Sequence, residues 1–191
     1  TTLFVEQLWS MDQRDPLSIR LARQIVKNKK IPNTIPLRIV QSWADSPDEQ
    51  VIPFFKELLF DNQMETELRL EALSSLLDDD ESVELIQQVF ALDDTTDANK
   101  EIMKSLWLQI KNPDPRILKL MTQHMHRYPF ETMKYFESVG LHVIDQQGMR
   151  ALMKDVFLTK ESSDVRGLLL EILGRKNITK YYSIIFVILS Q

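Results

Sequence analysis

The chain has 191 residues, 23 basic and 28 acidic side chains, 4 Gly and no Cys. Without Cys there are no disulfides, thiolate metal sites or cysteine nucleophile, and so few Gly leave no glycine-rich phosphate loop and disfavour a turn-rich all-β fold. With 43% hydrophobic and 27% charged residues the composition is that of a globular chain.

The apolar spacing predicts helices almost throughout, near 2–10, 16–29, 33–44, 47–61, 65–78, 81–92, 96–111, 115–127, 129–143, 146–159, 163–175 and 178–190. Met149, Leu152, Met153, Val156 and Phe157 follow a 3.6-residue period, as do Val165, Leu168, Leu169, Ile172 and Leu173. Ser46-Pro47-Asp48-Glu49 has the pattern of a capping box that would open the helix at 47. Asn112-Pro113-Asp114-Pro115 stops one helix and starts the next. Ser162-Ser163-Asp164 caps another, and Asp78-Asp79-Asp80-Glu81 puts negative charge at a helix N-terminus.

Ala44, Leu77, Ile110, Leu141 and Leu173 each precede a polar break, at spacings of 33, 33, 31 and 32. Each interval holds two helices and a short turn, the signature of an α-solenoid. A lone helix pair cannot cover its own apolar surface, whereas stacked pairs share a continuous core. The expected units are 16–44, 47–77, 81–110, 115–143 and 146–175, with a terminal helix at 178–190, all in one domain over 1–191.

One unit reads Val51-Ile-Pro-Phe-Phe-Lys-Glu-Leu-Leu-Phe-Asp61, then Glu67-Leu-Arg-Leu-Glu-Ala-Leu-Ser-Ser-Leu-Leu77. It resembles a HEAT repeat, with Pro53 in the first helix, Asp61 eight residues on in the turn, and the apolar-Arg pair Leu68-Arg69 opening the second helix. Asp164-Val165-Arg166, followed by Leu168 to Gly174, is similar to a second such opening. The other three units share only the apolar spacing. The resemblance to the HEAT/armadillo-like class implies an all-α, right-handed superhelix of about five helix pairs. It also implies a ladder role in the turns for Arg69 and Arg166, with binding to a partner as the alternative.

The search for chemistry nominates no catalytic, cofactor-binding or metal-ligating residue. His124-Met125-His126 on a helix would point its two rings to opposite sides, so they could not share one ion. The acidic runs at 78–81 and 93–97 lack the alternating acids and central Gly of a calcium loop. Trp43 and Trp107 lie at core spacing with Ile39 and Met103, which favours burial over base stacking.

Charge is uneven. Residues 1–40 sum to +4, residues 41–101 to −14 and residues 102–191 to +5. The acidic middle would attract a basic protein or peptide and repel nucleic acid. The resemblance places partner binding on the second helices of the pairs. Candidate residues there are Arg38, Gln41, Glu67, Glu71, Lys104, Leu108, Lys134, Leu170 and Glu171. Leu108 and Leu170 lie opposite their stripes, either as binding anchors or as packing against the next repeat.

The expected function is a non-catalytic scaffold or adaptor with no cofactor. The alternative is a HEAT-like enzyme or nucleic-acid binder acting on DNA bases or tetrapyrroles. No run approaches the ~20 apolar residues of a membrane span, and the cytoplasm is the default compartment, with periplasm or secretion also compatible. Thr1 in place of Met reads as a trimmed or processed start. The segment 178–190, apolar on all sides, reads as a helix that docks on another subunit or continues into further repeats.

Overall fold

The computed structural model describes residues 12, 14–44, 48–79, 83–110, 115–124, 127–139, 167, 170 and 171. The chain divides into two compact units, Thr1–Gln109 and Ile110–Gln191. Every regular element among the described residues is a helix. The predicted helices 2–10, 146–159 and 178–190, most of 163–175, and the landmarks Leu141, Arg166 and Leu173 lie outside the described residues.

Among the described residues of the first unit six helices follow one another as three pairs. They are α1 (Pro16–Lys27) with α2 (Thr34–Ala44), α3 (Ile52–Phe60) with α4 (Thr66–Asp79), and α5 (Val83–Phe90) with α6 (Asp97–Gln109). The two helices of each pair pack together, and α4 packs in addition on both α2 and α6. That position explains why α4 is buried over more than half of its circumference, through Leu68, Arg69, Ala72, Leu73, Ser75, Leu76 and Leu77. The paired stripes supply the core. Phe54, Phe55, Leu58 and Leu59 of α3 are buried, each worth about 1.5–3 kcal/mol of apolar burial. Trp43 meets the Phe54 ring edge-on at 6.1 Å, and Trp107 meets Phe90 at 5.8 Å. Both tryptophans are thus core residues, as their spacing predicts.

Local signals set the helix ends. Asp15 caps α1, accepting from the Leu17 and Ser18 backbone N–H groups, and Pro16 occupies the first turn, where its missing N–H costs nothing. The start of α3 differs from the sequence expectation. The helix opens at Ile52 rather than at 47. Residues 48–51 instead form a turn in which Val51 N donates to Asp48 O and Gln50 N to Asp48 Oδ1. The physical reason is Pro53. Inside a helix begun at 47 its ring would clash with the carbonyl four residues back. With the start at Ile52 it sits in the first turn.

The second unit contains α7 (Pro115–His124) and α8 (Pro129–Val139). Ile117 and Met121 are buried on α7, and Met133 and Tyr135 on α8. Thr132 closes the first turn of α8, its hydroxyl donating to Tyr128 O at 2.7 Å.

Candidate functional site

The first helices and second helices of successive pairs are joined by contacts of nearly constant sequence separation. Lys27 pairs with Glu57, Gln41 Nε2 donates to Glu71 Oε1 at 2.8 Å, and Arg69 Nη2 donates to Asn99 Oδ1 at 2.7 Å. Each pair is thirty residues apart. Second helices open at Thr34, Thr66, Asp97 and Pro129, at steps of 32, 31 and 32. A side chain reaching the next pair therefore meets a partner close to its own equivalent position.

The turns inside the pairs repeat as well. Asn28 Oδ1 accepts from Lys30 N at 3.1 Å, Asp61 Oδ1 from Gln63 N at 2.9 Å, and Asp93 Oδ1 from Thr95 N at 3.0 Å. A short side-chain acceptor that bonds the backbone two residues on replaces a missing backbone partner and stops the helix. The sequence marks Asp61 as a turn residue and Asp93 as a helix-capping acid, and leaves Asn28 unmarked. Asn28 and Asp93 stand 33 and 32 residues from Asp61, and that spacing was the signal available.

Arg69 and Asn99 form the buried polar centre. Arg69 is 1% exposed and Asn99 2%. Arg69 Nε donates to Leu59 O at 2.9 Å, and Asn99 Nδ2 donates to Asp93 O at 2.6 Å. Burial pushes the guanidinium below its ordinary pKa, and the negative charge of Asp61 opposes that shift. These bonds tie the end of α3, the start of α4 and the turn before α6 together. A side chain this enclosed is a structural tie. Asn99 went unrecognised because it is a polar residue at the position Leu68 holds one unit earlier.

The binding residues expected on the second helices lie on accessible stripes. Arg38 and Gln41 are exposed on α2, Glu67 is exposed and Glu71 half-buried on α4, and Lys104 is half-buried on α6. Gln41 and Glu71 touch, and α4 packs against both α2 and α6. Leu108 is 62% exposed beside the fully buried Trp107. In the second unit Lys134 is exposed and pairs with Glu137 at 3.2 Å. Leu170, 48% exposed, and Glu171 are exposed helical residues.

The acids of the central segment are largely at the surface. Glu49, Glu65, Glu67, Glu84, Asp93, Asp97 and Glu101 are exposed. Arg23 and Lys27 of α1 both grip Glu57, and Arg23 lies 5.9 Å from the centre of the Phe54 ring. Among the described residues no group of three His, Cys, Asp or Glu is arranged to hold a metal ion, and no helix is long and apolar enough to cross a membrane.

The chain matches no protein-family model, no curated protein and no solved structure.

Proposed function

We propose that the chain is a non-catalytic interaction module, a HEAT-like α-solenoid of about five helix pairs that carries a basic protein or peptide on its acidic central segment. The observation that supports this most is the register of the second helices. Arg38 and Gln41, Glu67 and Glu71, Lys104 and Leu108 occupy successive accessible stripes, and the tie between Gln41 and Glu71 holds two of them at fixed spacing. A face whose side chains are held in register before a partner arrives would lower the entropic cost of binding. Within the second unit Lys134, Leu170 and Glu171 are the corresponding candidates. The buried Arg69 sets spacing and takes no part in contact with the partner.

The test uses the full chain and a fluorescent polylysine peptide, with binding followed by anisotropy at low and high salt. The reading expects binding that weakens steeply with salt and weakens again in a Glu67→Lys, Glu71→Lys variant, because opposite charges steer association and salt screens them. Affinity indifferent to salt and to those two substitutions would remove the reading. A single-stranded oligonucleotide in the same assay is expected to show no binding; tight oligonucleotide binding would favour the nucleic-acid alternative.

A further inference from the structure

The turn of the first pair and the turn of the second enclose a groove of about 330 Å³, near the low end of the roughly 300–1,000 Å³ range of ligand pockets. Ile31, Pro32 and Met64, backed by the more deeply set Val26, Pro36 and Leu68, supply the apolar half of its lining, and Asn28, Lys29, Asn33, Gln63 and Glu65 the polar half. Neither the Asn33 nor the Gln63 amide side chain has a bond partner among the described residues, so each can give a donor and an acceptor to a peptide backbone.

Charge divides along this edge. The first turn carries Lys29 and Lys30, both exposed, and no acid. The second carries Asp61 and Glu65, and the third Asp93 and Asp94, with no basic residue in either. Lys29 and Glu65 both line the groove. A small molecule held in the pit would use only the groove itself. An extended segment would use the apolar pit, the two amides and the charge beyond both rims.

Resting on the reading of the chain as an interaction module, we infer that this groove docks an extended peptide of a partner protein. Its apolar side chain enters between Pro32 and Met64, its acidic end lies toward Lys29 and Lys30, and its basic end runs toward Glu65 and Asp93. This locates the basic partner's anchor at the turns, apart from the stripes of the second helices. Burying one such side chain supplies about tenfold or more in affinity, and the charges set direction and register.

A phage-displayed library of random peptides panned on the full chain tests this. The expected winners share an apolar residue with acids on one side and Lys or Arg on the other. Anisotropy of the best peptide is expected to show about tenfold weaker binding to Met64→Ser. A Lys29→Glu, Glu65→Lys double variant is expected to reject that peptide and to accept one with its charges exchanged. Both substituted residues are exposed, so this arm does not depend on the core, and thermal unfolding of each variant checks the fold. No enrichment, or winners lacking the apolar anchor and the charge pattern, would overturn the groove. Winners indifferent to the groove variants but lost in Glu67→Lys, Glu71→Lys would also overturn it while leaving the interaction module standing.

Discussion

Arg69 and Asn99 meet through a 2.7 Å hydrogen bond inside the protein, thirty residues apart and on different helix pairs. Asn99 hands the connection on to Asp93 O, and Arg69 returns it to Leu59 O. A buried guanidinium that loses a partner keeps its desolvation cost without compensation. Asn99→Leu should therefore destabilise the chain by about 1–3 kcal/mol in urea unfolding. Pairing it with Arg69→Leu should recover part of that loss, because no buried charge remains. Additive losses in the double-mutant cycle would show that the two residues act independently.

Glu57 offers the opposite case. It faces both Arg23 and Lys27, yet all three side chains are about a third or more exposed. Solvent screens such pairs, so Glu57→Gln should cost only about 0.2–1 kcal/mol, with the difference shrinking as salt is raised. A loss as large as that of Asn99→Leu would mean that this cluster is far less hydrated than its exposure indicates.

Neighbours on α6 should behave in opposite ways. Trp107 is fully buried against Phe90, and Trp107→Ala should cost about 3–5 kcal/mol through the lost burial and the cavity left behind. Leu108 is largely exposed, so Leu108→Ser should change stability by less than about 0.5 kcal/mol. A large destabilisation by Leu108→Ser in the full chain would place that leucine in packing and withdraw it as an anchor for a partner.

The cap of α1 should respond to acid. The Asp15 carboxyl is held below its ordinary pKa by the Leu17 backbone N–H first, against desolvation as the next largest influence, with Ser18 adding through its hydroxyl and N–H. A lowered folded-state pKa means the contribution is complete above the unfolded-state value near 3.8 and is lost as pH falls through the folded value. The protection of the Leu17 and Ser18 amides, measured relative to the intrinsic exchange rate at each pH, should therefore fall below the ordinary carboxylate range. In Asp15→Asn that acid-dependent step should vanish; its persistence would assign it to another group.

Much of the helical register was legible from one dimension. The apolar period located α1, α2, α4 and α6 to within about two residues at each end, since an amphipathic stripe declares which residues must leave water. The beginning of α3 was misread because Ser46 to Glu49 resembles a cap, while the stronger constraint came from Pro53 further on. Burial of Trp43 and Trp107 followed from their spacing, and the accessible stripe from Arg38 to Leu108 followed from the same geometry seen from the other side.

Tertiary structure alone decided which polar residues meet. Asn99 looks like an ordinary polar position on α6; only the placement of α4 beside α6 turns it into the acceptor for Arg69. Spacings of 33 and 32 already hint at the equivalence of Asn28 with Asp61 and Asp93, and their shared turn geometry establishes it. Periodicity is a property of each helix and is written along the chain, because every residue's exposure depends on its own few neighbours. Pairing across thirty residues depends on how whole helices stack, and that is a property of the folded ensemble of contacts rather than of any local segment.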